Sequence, residues 1–167
     1  MKKLSLVLLT VALCFGLVAC GNQKEENNGT TGADIATMSL NEIMDVVYSG
    51  FAEEELPMMI ERKDLAEADA DTKIWFLGSD EIAFEEALGS ESGVGSYAHS
   101  MVLVRVAEGT DVEATMEELR SSIDPRKWIC VGVELDEVVI ENIGNVILVA
   151  IDQEDVAKFA ANFETLR

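Results

Sequence analysis

The sequence predicts an α+β fold: a single two-layer domain with a mostly antiparallel sheet of about four to five strands and about three helices. Three observations carry that prediction. Leu40, Ile43, Met44, Val47 and Phe51 recur at helical spacing, and similar stripes follow later in the chain. From Tyr97 to Val106 the pattern alternates, with Val102, Val104 and Val106 on one face and Met101, Leu103 and Arg105 on the other. Finally, Val138-Val139-Ile140 and Val146 to Ile151 flank Asn142-Ile143-Gly144-Asn145, a sequence suited to a hairpin turn. Strands interspersed with helices, and one hairpin, fit a helix layer on a sheet.

The N-terminal residues set the context for that domain. Residues 1–19 read as a lipoprotein signal peptide. Lys2 and Lys3 form a positive start, and an apolar stretch from Leu4 to about Leu17 is shorter than the roughly 20 residues of a membrane span. The stretch closes on Leu17, Val18, Ala19 and Cys20, the pattern of a lipobox recognised by signal peptidase. Ala19 is the small residue needed before the cut, and the Cys20 sulfur can carry a diacylglyceryl thioether. Two acyl chains suffice for stable anchoring. Residues 20–38 then read as the lipidated Cys20 and a flexible tether, rich in Gly, Asn, Thr and charge.

The single α+β domain is expected over residues 39–167. Ser39 and Glu42 have the spacing of a capping box, which starts the first helix. Leu56-Pro57-Met58-Met59-Ile60 breaks that helix at the proline and continues as an apolar connector. Residues 61–73 are polar, with a short helix expected around Leu65 and Ala68. Ile74-Trp75-Phe76-Leu77 reads as a strand or a buried turn. Ser79 to Leu88 fits a capped helix or a strand, with strand preferred. Gly89 to Ser96 has the composition of a turn, followed by the strand ending at Val106. Thr110 and Glu113 suggest a second capping box, with Val112, Met116, Leu119 and Ile123 inward and Asp124-Pro125 as the stop. Trp128 to Leu135 is expected as a strand. After the hairpin, Asp152 caps a last helix that buries Val156, Phe159, Ala160 and Phe163.

Composition bounds the partners. The chain carries 12 basic and 32 acidic side chains, a formal charge of −20. Removing residues 1–19 takes away Lys2 and Lys3 and no acid, leaving 10 basic and 32 acidic groups and a charge of −22. Such a field repels nucleic acid and anionic headgroups, so membrane attachment falls to the lipid on Cys20. Cys14 leaves with the signal, and Cys20 is lipidated. Cys130 is then the one free thiol, which excludes an internal disulfide in the mature chain.

The chain also resembles a known group. The tether, then Ser39-Leu40-Asn41-Glu42-Ile43-Met44, Glu55-Leu56-Pro57-Met58, Ser79-Asp80-Glu81-Ile82-Ala83 and Gly144-Asn145-Val146-Ile147-Leu148-Val149 are similar to a domain-of-unknown-function family. That family is carried by small lipoproteins of Gram-positive, largely clostridial bacteria. The resemblance implies a lipid-anchored extracytoplasmic domain and brings no catalytic residues with it.

Reactive constellations are sparse in the sequence. His99 is the sole histidine, and it reads as a surface or edge-strand residue. Ser96 and Ser100 lie near it, but there is no Gly-x-Ser-x-Gly elbow to mark a nucleophile. Gly93, Gly95 and Ala98 mimic a dinucleotide fingerprint, yet a strand follows where the chemistry needs a helix N-terminus, so a hairpin loop is expected. Cys130, among Trp128, Ile129 and Val131, reads as a buried core thiol. The acidic groups at Glu53-Glu54-Glu55, Asp69/Asp71, Asp80/Glu81/Glu85/Glu86 and Glu117-Glu118 read as solvated faces. No cofactor or metal site is expected. The resulting expectation is a lipid-anchored protein on the extracytoplasmic face of the cell membrane. It would serve as a non-enzymatic binding or accessory module with an envelope protein as a possible partner, and its oligomeric state is open. The alternatives are an envelope hydrolase using a carboxylate pair and a cation-binding module.

Overall fold

The computed structural model describes residues 34–167. The signal peptide, Leu17, Val18, Ala19, the lipidation site Cys20 and most of the tether lie outside the described residues.

The helices are α1 (Leu40–Val47), α2 (Ala70–Leu77), α3 (Val112–Ser122) and α4 (Val156–Glu164). The strands are β1 (Ile60–Asp64), β2 (Glu86–Ser92), β3 (His99–Arg105), β4 (Val139–Ile143) and β5 (Val146–Asp152). They form one sheet in the order β1-β2-β3-β5-β4, and every neighbouring pair is antiparallel. The α+β class and the antiparallel five-stranded sheet agree with the sequence prediction.

The layering goes one step further. α1 and α4 pack Ile43, Met44, Val47, Phe159 and Phe163 against Met101, Leu103, Leu148 and Ala150 on one face. α2 and α3 pack Phe76, Leu77 and Leu119 against Val102, Val104, Ile147 and Val149 on the other. The sheet is therefore the middle of three layers. β3 and β5 are buried along their whole length, which explains why both alternating faces of β3 are apolar.

The capping box at α1 forms as expected. The Ser39 N–H donates to Glu42 Oε2 at 2.8 Å, and the Glu42 N–H donates to Ser39 Oγ at 3.3 Å. This bond to the charged form holds the Glu42 carboxyl below the usual carboxylate range. The other end of α1 is closed from α4, where Asn162 Nδ2 donates to the carbonyls of Val47 and Ser49. The described body also takes in Ile35, and the Arg105 guanidinium donates to the carbonyls of Ala36 and Met38.

Several local expectations are corrected. Residues 60–64 form the edge strand β1, and a bend rather than a helix follows around Leu65, α2 starting only at Ala70. The charges along β1 line an exposed edge that discourages further pairing. Ile74-Trp75-Phe76-Leu77 belongs to helix α2, because Asp69 caps it by accepting from the Thr72 N–H at 2.8 Å. Gly89 to Ser92 lies inside β2, not in a turn. A Cβ at Gly89 would stand 2.7 Å from the Phe76 ring, so the missing side chain lets α2 lie close on the sheet. Asp111, not Thr110, caps α3 by accepting from the Ala114 N–H. Residues 128–134 form a loop instead of a strand, and only Trp128 and Val133 of that stretch are buried. Asp152 shapes the turn into α4, although the helix begins after Asp155. The hairpin joining β4 to β5 forms with Gly144 at φ +58°.

Candidate functional site

One end of the sheet carries polar side chains on both faces. β2 ends through Ser90 and Glu91, β3 begins with His99 and Ser100, and β5 ends at Asp152. The register pairs Glu91 with Ser100 and His99 with Asp152. Side chains alternate along a strand, so Ser90, His99 and Asp152 face α1 and α4, while Glu91 and Ser100 face α2.

On the α1–α4 face the polar groups form a closed chain. His99 Nδ1 lies 2.8 Å from Asp152 Oδ2, and His99 Nε2 lies 2.6 Å from the Tyr48 hydroxyl. Tyr48 also meets Ser90 Oγ at 2.9 Å. With Asp152 ionised, Nδ1 carries the ring proton, the Tyr48 hydroxyl donates to Nε2, and Ser90 donates to the Tyr48 oxygen. Asp152 Oδ1 accepts the N–H groups of Glu154 and Asp155 at 2.9 and 2.7 Å. Burial pushes the Tyr48 phenol above its ordinary value, which favours a protonated donor over a phenolate. Phe159 seals the site, its ring centroid 5.4 Å from His99 and 5.3 Å from Tyr48.

This corrects the surface reading of His99. It is fully buried because β3 is a central strand covered on both sides. Ser100, its sequence neighbour, points to the opposite face, and the histidine meets a serine only through Tyr48. Every polar atom of the His99 ring and the Asp152 carboxylate has a partner, so the arrangement fits α1 locked onto the sheet.

On the α2 face, a second cluster reaches the surface. The Glu91 carboxylate accepts both indole N–H groups: Trp75 Nε1 on Oε2 and Trp128 Nε1, at 2.9 Å, on Oε1. Lys127 Nζ sits over three rings, 5.0 Å from the centroids of Trp75 and Phe76 and 5.1 Å from that of Trp128. It donates to the Trp75 carbonyl at 2.9 Å and to Ser100 Oγ at 3.1 Å. Burial among the rings lowers its ammonium to about 8, outweighing the attraction of Glu91 and Asp124.

Trp75 is thus fixed in orientation while 41% exposed. It borders a cavity of about 480 Å³ between α2 and the β1–β2 edge, lined also by Glu61, Lys63, Asp71, Thr72 and Glu91. Met59 stands nearby, 66% exposed, in the left-handed region at φ +58°. Its carbonyl accepts from the Gly93 N–H at 2.9 Å, and Ser92 Oγ donates to the Met58 carbonyl at 2.9 Å. A larger cavity of about 610 Å³, by α3 and β4, is lined by Arg120, Ile123, Leu135 and Val138 without an aromatic ring.

The remaining sequence candidates are dispersed. Cys130 is exposed rather than buried, because the loop carrying it turns Trp128 inward and leaves Ile129 and the thiol in solvent. Gly93, Gly95 and Ala98 lie in the loop between β2 and β3, as expected. Asp69 is a helix cap, and Glu55 accepts from the Ala52 N–H and from Lys158. Glu141 on β4 and Glu164 on α4 converge beside Arg167; burial and the Glu164 charge raise the Glu141 carboxyl. Among the described residues, no group of three or more His, Cys, Asp or Glu side chains is disposed to hold a metal ion. Among those residues, no helix is long and apolar enough to cross a membrane.

Comparison of the chain with models of protein families, with characterised proteins and with solved structures yields no match.

The α2-face cluster had little sequence signal. Its members come from four separate stretches, and of the three rings around Lys127 only Trp128 adjoins it in the sequence.

Proposed function

We propose that the mature chain is a lipid-anchored extracytoplasmic lipoprotein, held at the cell membrane by a diacylglyceryl group on Cys20. Its domain serves as a non-enzymatic binding or accessory module of the cell envelope. The anchor rests on the Leu17-Val18-Ala19-Cys20 sequence after an apolar stretch too short to span a bilayer.

The observation that carries the binding role is Trp75. A large aromatic side chain that is exposed and yet held in one orientation has little rotamer freedom left to lose on binding, which is how pre-organised sites gain affinity. Tryptophan is also the side chain most enriched among residues that dominate binding energy. Glu91 spends both carboxylate oxygens on indole N–H groups, an arrangement suited to positioning rather than to proton transfer.

Two substitutions separate the two parts of this reading. Cys20→Ala should move the protein from the membrane to the soluble fraction; continued membrane retention overturns the anchor. Crosslinking of the full-length protein in intact envelopes should capture a recurrent component with the wild type and lose it with Trp75→Ala. Equal capture by both proteins overturns the assignment of the binding surface. A hydrolytic activity in the purified protein, abolished by one point substitution, overturns the non-enzymatic role.

A further inference from the structure

Resting on the binding-module reading, we infer that the Trp75 cavity takes a neutral glycan, with a pyranose ring stacked on the indole. Three observations converge on that class of ligand.

The first is the charge of the cavity against the charge of the chain. The mature protein carries an excess of 22 negative charges by sequence. In the cavity, Glu61, Asp71 and Glu91 are opposed by Lys63, and Lys127 stands behind Trp75 at 5.0 Å, while the Arg62 guanidinium turns to the α1 face and pairs with Asp45. Three carboxylates thus stand near two cations, and Glu91 already accepts two indole N–H groups, so little net charge is left toward the cavity. An anion or cation gains little from such a lining, whereas an uncharged ligand loses nothing.

The second is the alternation of hydrogen-bonding roles around the rim. Glu61 and Asp71 only accept, Lys63 only donates, and Thr72 does both. A polyhydroxylated ring presents donors and acceptors at every carbon and can satisfy all of these at once. A purely apolar ligand would leave them unpaired when it displaced water, which costs about 1–3 kcal/mol for each buried group.

The third is the aromatic surface. Lys127 covers one face of the Trp75 indole while the residue keeps 41% exposure and borders the cavity. The free part of the ring offers a flat apolar surface edged by polar groups, matching the C–H face and hydroxyl rim of a pyranose. The cavity volume of about 480 Å³ accommodates a short oligosaccharide segment open to solvent at its ends. Glu91, holding Trp75 and Trp128 by their N–H groups, is the positioning residue that keeps the platform flat to the cavity.

The test uses the full-length protein in a detergent without a sugar headgroup, titrated with three neutral oligosaccharides, chitotetraose, cellotetraose and maltotetraose. Indole fluorescence is the readout. Trp128 is 6% exposed and shares Glu91 with Trp75, so the change is assigned to Trp75 by its loss in Trp75→Ala. At least one probe should give a saturable response. Binding measured by calorimetry should weaken about tenfold or more in Trp75→Ala, or roughly 1.4 kcal/mol. Lys63→Gln, at an exposed strand position that leaves the Trp75–Glu91 lock intact, should weaken it a few-fold with an unchanged melting temperature. Absence of a saturable response with all three probes overturns the glycan assignment, as does binding that Trp75→Ala leaves unchanged. If crosslinking still captures a protein through Trp75 while no glycan responds, the binding module stands and the glycan falls.

Discussion

His99 and Asp152 are joined twice, as register partners on β3 and β5 and by a side-chain bond of 2.8 Å between Nδ1 and Oδ2. The pair sits where two central strands meet the turn into α4, and Tyr48 ties α1 to the same point. One polar chain therefore connects both helices of that layer to the sheet. Removing one partner leaves the other buried and unpaired. Asp152→Ala, which leaves the neutral His99 Nδ1–H without an acceptor, should cost about 1–3 kcal/mol. Tyr48→Phe, which strips only the hydroxyl, should cost about 1–3 kcal/mol. Denaturant melts check both values; a loss below 1 kcal/mol for Asp152→Ala would show that the network does not hold the layer.

Gly78 and Gly144 both have positive φ, yet their surroundings differ. Gly78 follows α2 at φ +80°, and a Cβ there would lie 2.1 Å from the backbone of Ser122 at the end of α3. Gly144 in the β4–β5 turn, at φ +58°, faces open space. Alanine at Gly144 should cost about 1 kcal/mol from backbone strain alone. At Gly78 the same change adds a clash with backbone that cannot rotate away, for a total of about 2–4 kcal/mol. Comparable melting temperatures for the two variants would contradict the close approach of α2 and α3.

Much of this frame was legible in the sequence. The capping box at Ser39, the alternation up to Val106 and the hairpin at Gly144 depend on local chemistry, and each forms where its residues predict. The failures share a cause. β1 carries Glu61, Arg62, Lys63 and Asp64 on an exposed edge, so it has no apolar period to read. Gly89 and Ser90 look like turn residues, and their small size instead admits the Phe76 ring and the Tyr48 hydroxyl. The β-prone run from Ile74 to Leu77 is overridden by the Asp69 cap. His99 shares its strand face with Met101 and Leu103, a parity that already pointed inward. The Trp75–Glu91–Trp128–Lys127 cluster assembles only through tertiary packing.

Glu141 gives a pH dependence in the acidic range. Burial, and then the Glu164 charge, raise its carboxyl above 4.5, and its buried Oε2 lacks a hydrogen-bond partner. The folded state therefore keeps the proton at a pH where the unfolded chain has released it. Its contribution is fully present below the unfolded value near 4.5 and is lost as pH rises through the folded value. Glu141→Gln should be as stable as the wild type or more so at pH 7, by about 1 kcal/mol or less because water screens a partly exposed pair. That advantage should shrink at pH 4. A Glu141→Gln protein less stable than the wild type at pH 7 would reverse the assignment.

Lys127 gives the opposite dependence at alkaline pH. Its ammonium is lowered from 10.5 to about 8 by burial among Trp75, Phe76 and Trp128. The neutral amine is therefore favoured by the folded state more than by the unfolded one. Stability from this group is fully present above the unfolded value of 10.5 and is lost as pH falls through about 8. The wild type should accordingly gain stability relative to Lys127→Met between pH 8 and pH 10, while the two curves run parallel below pH 7. Met fills the space of the alkyl stem but leaves the Trp75 carbonyl and Ser100 hydroxyl without a donor, so a constant offset of about 1–3 kcal/mol accompanies the pH-dependent part. Paired denaturant melts at pH 7 and pH 10 separate the two. An offset that does not change with pH would mean that the amine titrates as it does in water, and that the aromatic box around it is open to solvent.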